Sequence, residues 1–158
     1  MAPTHRDLVA LGARWLRKQG FPVVATELSA AGCREVPDVV GFRSTCTAII
    51  EAKASRADFL ADDRKPERSG RAPGVGLYRF YLSPAGVALP AELPAGWGLL
   101  HEVGGRVREI VRPTGNRWPP GGVEGEWLAF QHPVNTDAER AVLFSIARRL
   151  AAVDRRTR

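Results

Sequence analysis

Residues 36–53 read VPDVVGFRSTCTAIIEAK, and this stretch decides the fold. VPDVVGF and TAIIEAK are β-rich runs, and the RSTC between them has the composition of a tight loop. A hairpin closed by RSTC pairs Phe42 with Thr47. Counting outward in that register sets Asp38 opposite Glu51. Strand side chains alternate between faces, so Glu51 and Lys53 point one way while Ile50 and Ala52 point into packing. Opposed Cβ atoms lie ~4.5–5.5 Å apart. Two carboxylates and an ammonium therefore crowd one spot at the end of a buried hairpin.

Two anions that close repel each other, and Lys53 relieves only part of the repulsion. A divalent cation relieves it fully, and hard oxygen ligands suit Mg²⁺, with Mn²⁺ as a substitute. Magnesium held by few protein ligands keeps waters and polarises phosphoryl oxygens. Lys53 then stands beside the attacking water or the charge that builds on phosphorus. The plainer alternative makes Asp38 a turn residue after Pro37, and Glu51 and Lys53 a solvated strand end. A lone E-x-K carries little weight; the joint pattern of Pro37-Asp38, hairpin, Ile49-Ile50 and Glu51-Ala52-Lys53 carries more.

Working outward, Thr4 caps a first helix with Asp7 at the capping-box position. Leu8, Leu11, Trp15 and Leu16 form its apolar face, and Gly20 stops it. FPVVATEL is a short strand with Glu27 near its end. After the hairpin, Ser55 caps a second helix, SRADFLADDRK, closed by Pro66. LYRFYL is a further strand, and GWGLLHEV with RVREIVRP forms a hairpin turned at Gly104-Gly105. A last helix is expected from about Thr136 to Ala152. Thr136 and Glu139 supply its capping box, Val142, Leu143, Ile146 and Leu150 its apolar face, and DRRTR a frayed tail. The fold class is α/β: a central mixed β-sheet flanked by helices, with an added hairpin and C-terminal helix.

The 158 residues suit a single domain, with 44% hydrophobic and 25% charged side chains. No apolar run approaches the ~20 residues of a membrane span. MAPTHRDL lacks the apolar core of a signal peptide, so a cytoplasmic location is expected. Cys33 and Cys46 show no metal spacing and read as reduced thiols. The net charge of +6 comes mostly from arginine. That suits phosphate, although an Arg-rich proteome gives the same balance.

VPDVVGF followed by AIIEAK resembles the PD-(D/E)XK nuclease superfamily, with its restriction-endonuclease-like and Holliday-junction-resolvase-like members. The resemblance covers roughly residues 5–82, the αβββαβ core, and leaves 83–158 as an elaboration. It implies a metal-dependent nuclease hydrolysing phosphodiester bonds, with DNA a better substrate than RNA, in repair, recombination, phage or defence. The family motif falls on Asp38, Glu51 and Lys53. An earlier acidic residue that adds a metal contact in several branches falls on Glu27. SRADFLADDRK, YRFYLSPAGV and LPAGWGLLHEV are also similar to uncharacterised phage and bacterial proteins carrying this motif.

Other residues bear on nucleic acid. Ser55 opens a helix whose free N–H groups are a place for a phosphate, though a simple cap is the commoner role. Arg56, Arg64, Lys65, Arg68 and Arg71 flank that helix and loop, and two readings stay open for them: tracking a nucleic-acid backbone, or solvated surface charge. Asp58, Asp62 and Asp63 form a second acidic group; Asp58 and Asp62, one helical turn apart, have the spacing for a cation, but cap and solvated face are the commoner roles. Tyr78, Phe80 and Tyr81 read as strand packing ahead of base stacking; Trp97, Trp118 and Trp127 stay open between core burial, the commoner role, and stacking on bases from the Gly/Pro loops. His5, His101 and His132 are isolated, and no zinc-protease, serine-triad or nucleotide-loop spacing appears. Two other readings stay open: an inactive nucleic-acid-binding module, and a subunit of a larger complex. Cutting two strands with one site per chain calls for a homodimer or a protein partner, and no segment marks that interface.

Overall fold

The computed structural model describes residues 1–62, 65 and 72–157; Asp63, Arg64, Pro66, Arg68 and Arg71 lie outside them. Helix α1 (His5–Lys18) opens on the expected capping box. The Asp7 N–H donates to the Thr4 hydroxyl at 3.2 Å, and the Thr4 N–H donates to the Asp7 carboxylate at 2.8 Å. Strands β1 (Val23–Thr26), β2 (Val39–Phe42) and β3 (Thr47–Ala52) follow, then α2 (Arg56–Asp62) and β4 (Tyr78–Pro84). Strands β5 (Trp97–Val103) and β6 (Arg106–Val111) and helix α3 (Thr136–Arg156) complete the chain.

The six strands form one sheet in sequence order. β1, β2 and β3 are antiparallel, β3, β4 and β5 run parallel, and β6 returns antiparallel. The mixed α/β class read from the sequence is the class observed. The register across RSTC is also as read, with Phe42 opposite Thr47 and Val39 opposite Ile50. Gly104 and Gly105 turn the β5–β6 hairpin with φ of +57° and +76°, the left-handed pair that a two-residue hairpin loop requires.

Each sheet face carries its own core. α1 packs Leu8, Leu11, Trp15 and Leu16 against β2, β3 and β4 on one face. Gly12 lets the helix lie close to β3, because a Cβ there would stand 3.3 Å from Ile50. Trp118 and Trp127, in the irregular segment before α3, close this face. Trp118 is 1% exposed and meets Phe21, Tyr78 and Trp15 edge-on at centroid distances of 4.9, 5.3 and 6.1 Å. Trp118→Ala should therefore cost about 3–5 kcal/mol. Urea unfolding reads this as a lowered midpoint at unchanged slope; a midpoint near wild type would remove Trp118 from the core. Cys46 lies beside it, its Sγ 3.6 Å from the Trp118 carbonyl, and burial pushes the thiol up to about 11.

The second face buries Val40, Phe42, Ile49, Phe59, Tyr81 and Trp97, with Ala138 and Val142 of α3. Here the last helix departs from the sequence reading. Asn135 caps it, accepting from the Ala138 N–H at 3.0 Å. Glu139 does not complete a capping box with Thr136. Its carboxylate instead accepts from the Thr47 hydroxyl and from the Gly76 N–H, joining α3 to the sheet. The helix continues to Arg156 rather than fraying, with Arg155 and Arg156 in its last turn, where they complement the helix dipole. Of the expected apolar face, Val142 is buried and Ile146 partly so, while Leu143 and Leu150 are 41% and 66% exposed.

Burial raises the Glu139 carboxyl above its ordinary 4.5, against the opposing pull of its hydrogen bonds from Thr47 and Gly76. The folded chain then holds this proton more tightly than the unfolded chain does. The resulting stabilisation is full below pH 4.5 and declines as pH rises through the raised folded value. Glu139→Gln should abolish this decline, so the stability difference in favour of the variant should grow with pH across that window. Unfolding midpoints of both chains over a pH series check it, and a pH-independent difference would contradict it.

Candidate active site

Three strand ends and two helix ends meet at one edge of the sheet. Asp38 lies one residue before β2 and, continuing the observed register, opposite Glu51 of β3. Its Oδ2 accepts from the Ala52 N–H at 2.8 Å, which locks the carboxylate across the hairpin. Its Oδ1 stands 3.5 Å from His5 Nε2. Glu27 follows β1 in the left-handed region, with φ of +48°, and its N–H donates to the Asp38 carbonyl at 3.0 Å. A non-glycine residue held there stores strain of order 1–3 kcal/mol, a feature that clusters at functional sites. Glu27 Oε1 lies 3.3 Å from His5 Nε2, and one ligand atom each from His5, Glu27 and Asp38 falls within 4.8 Å of the others.

Deeper in the same cleft the charges are buried: Glu51 is 2% exposed, Asp62 2% and Lys53 8%. Lys53 leaves the end of β3, where its N–H donates to the Leu82 carbonyl at 2.9 Å and extends the parallel ladder. Its Nζ donates to Asp62 Oδ1 at 2.9 Å and stands 3.9 Å from Glu51 Oε2. Lys65 Nζ reaches the same Asp62 oxygen at 3.0 Å and lies 4.0 Å from Glu51 Oε2. Tyr81, the β4 partner of Glu51, donates its hydroxyl to Asp62 Oδ2 at 2.6 Å. Carboxylates this deeply buried are tolerated only when paired and hydrogen-bonded, and the two lysines and the tyrosine serve that need for Asp62.

The cleft has a volume of about 380 Å³. His5, Asp38, Glu51, Lys53, Asp58, Asp62 and Lys65 all line it. The structure thus gathers Asp38, Glu51 and Lys53, with Glu27 against Asp38. It does not gather Arg56, whose guanidinium is held by both Glu92 carboxylate oxygens and by the Val87 carbonyl. Ser55 caps α2, its hydroxyl accepting from the Asp58 N–H at 3.2 Å. Arg64, Arg68 and Arg71 lie outside the described residues.

Two residues escaped the sequence reading. Asp62 was expected on a solvated face, yet it is buried beside Lys53. The available signal was spacing: Asp62 follows Phe59 by three residues, and these two are the buried positions of α2. His5 was expected to be isolated, and no spacing could link it to Asp38, because only the docking of α1 on the sheet brings them together. His101 and His132 do stay apart from the cleft, at the Ala88 and Gly96 carbonyls.

His5, Glu27 and Asp38 form a mixed nitrogen and oxygen donor set that suits a divalent cation, and Asp38 also lines the cleft that holds Glu51 and Lys53. Residues 4–64 match the family model of the archaeal Holliday junction resolvase (hjc), a family of the PD-(D/E)XK nuclease superfamily. The PD-(D/E)XK resemblance is borne out over that stretch. It contains Glu27, Asp38, Glu51 and Asp62, together with Lys53. The solved structure of SPO1766, described as a protein of unknown function from Silicibacter pomeroyi, is similar with a TM-score of 0.61. The match covers 96% of this chain and 92% of that one at 24% identity, which speaks for the fold alone. That likeness of fold spans nearly the whole chain, whereas the family match is confined to residues 4–64. No curated protein matches. Among the described residues, no helix is long and apolar enough to cross a membrane.

Proposed function

We propose that the chain is a divalent-metal-dependent deoxyribonuclease that hydrolyses phosphodiester bonds at DNA junctions or branches. The observation that carries this reading is the convergence of Asp38, Glu51 and Lys53 in one cleft, inside the segment that matches a junction-resolvase family. Mg²⁺ is the expected ion, with Mn²⁺ as a substitute. Asp38 and Glu51 would hold it from opposite strands, with Glu27 and His5 at the rim. When bound, such an ion polarises a phosphoryl oxygen and activates water. Asp38 contributes a carboxylate pre-aimed by its bond to the Ala52 N–H. Lys53 contributes N–H donors beside the position where charge develops on the phosphate, and its burial strengthens that interaction.

The test is cleavage of four-way, nicked, single-stranded and linear DNA in Mg²⁺, Mn²⁺ or EDTA. Metal-dependent products from branched DNA are expected, and no cutting in any metal would remove the reading. A further prediction concerns His5. Magnesium takes oxygen ligands, whereas an imidazole adds affinity for transition ions. His5→Ala should weaken Mn²⁺ binding and leave Mg²⁺ binding nearly unchanged, as read by calorimetry. Equal effects on both ions would place His5 outside the donor set.

A further inference from the structure

Lys53 sits between two buried carboxylates, and the nearer one is not the motif glutamate. Its Nζ is 2.9 Å from Asp62 Oδ1 and 3.9 Å from Glu51 Oε2. The Asp62 carboxylate is itself aimed. Its second oxygen accepts the Tyr81 hydroxyl at 2.6 Å. The Tyr81 ring is pinned in turn, stacked on Trp97 at 4.4 Å and meeting Phe59 edge-on at 5.1 Å. A chain of contacts therefore runs from the aromatic core through Tyr81 and Asp62 to the Lys53 ammonium. A lysine ammonium rides on a flexible four-carbon stem with many rotamers. Left to itself, an ammonium beside Glu51 would move into direct contact with that carboxylate and compete with a cation for it.

We propose that Asp62 is a positioning residue for Lys53: it draws the ammonium away from Glu51 and fixes it where a phosphate oxygen can meet it. The proposal rests on the nuclease reading for its consequence in rate, but not for the geometry it asserts. In this role Asp62 acts on the reaction through Lys53, the ammonium it holds at 2.9 Å. Lys65 shares the same oxygen at 3.0 Å, is half exposed, and balances the second unit of buried charge.

The experiment compares wild type with Asp62→Asn, which keeps the shape and an acceptor for Tyr81, and with Tyr81→Phe, which keeps the ring packing. Two readouts are taken. The first is single-turnover cleavage alongside DNA affinity in Ca²⁺. Asp62→Asn should lower the cleavage rate by about 100-fold, the scale for a reacting group displaced by an ångström. Its DNA affinity and melting temperature should stay close to wild type. Tyr81→Phe should lower the rate in the same direction by less. The second readout is the ¹⁵Nζ resonance of Lys53, assigned by its loss in Lys53→Ala. It should be visible and protected from exchange in wild type and lost in Asp62→Asn. An unshifted Lys53 resonance in Asp62→Asn overturns the proposal, as does an unchanged rate. Parallel losses of rate, DNA affinity and melting temperature would also overturn it, because they mark a structural role. If the wild type cuts no DNA, the nuclease reading falls, and the resonance alone still decides whether Asp62 holds Lys53.

Discussion

Lys53→Ala should lower DNA cleavage by about 10²–10³-fold, the cost of removing one donor from a developing charge. Binding should survive. The side chain is one of 23 basic groups for backbone attraction, but one of two ammoniums placed on Asp62 inside the cleft. The fold should survive as well. Removing one partner of a buried ion pair is usually severe, yet Asp62 retains the Tyr81 hydroxyl and the Lys65 ammonium. Single-turnover cleavage measured beside fluorescence anisotropy in Ca²⁺ separates the two effects. Binding and cutting lost in equal measure would assign Lys53 a structural or purely electrostatic role, and unchanged cutting would move the site elsewhere.

Asp38 carries the second large effect, and its two oxygens can be told apart. Oδ2 bonds the Ala52 N–H and serves the hairpin, while Oδ1 turns toward His5 and the cleft. Asp38→Asn keeps an acceptor for Ala52 but loses the charge. Its melting temperature should stay near wild type while calorimetric binding of Mg²⁺ and Mn²⁺ disappears and cleavage falls at least as far as in Lys53→Ala. Asp38→Ala should lose the same functions and about 1–3 kcal/mol of stability in addition, the cost of an N–H left without its acceptor. Asparagine and wild-type chains that bind metal equally well would take Asp38 out of the site.

The parts of this fold that local rules govern were legible in the sequence. The RSTC loop set a register, the register set Asp38 against Glu51, and Thr4 with Asp7 marked the first helix. Gly104-Gly105 announced its hairpin by the backbone conformation it demands. What could not be read was decided by contacts distant in sequence. Glu139 looked like the partner of Thr136, but the Thr47 hydroxyl and the Gly76 N–H claimed its carboxylate. Arg56 looked like a cation beside the site, but Glu92, far along the chain, holds it. The outer half of α3 has helical apolar spacing, yet nothing packs over Leu150 and Val153 enough to bury them, and both are exposed. Asp62 shows the opposite failure. A charged residue in a run of charges reads as surface, and only the burial of Lys53 beneath α2 gives it a reason to be inside.

On the proposed function, the cleft at the strand tips holds a divalent ion between Asp38 and Glu51, with Lys53 beside it. Anomalous diffraction from crystals grown with Mn²⁺ tests this most directly. One strong peak is expected in the cleft, contacting a carboxylate oxygen of each of Asp38 and Glu51, with Lys53 Nζ still on Asp62. A peak on other carboxylates, or a cleft that stays without manganese at saturating concentration, would contradict it.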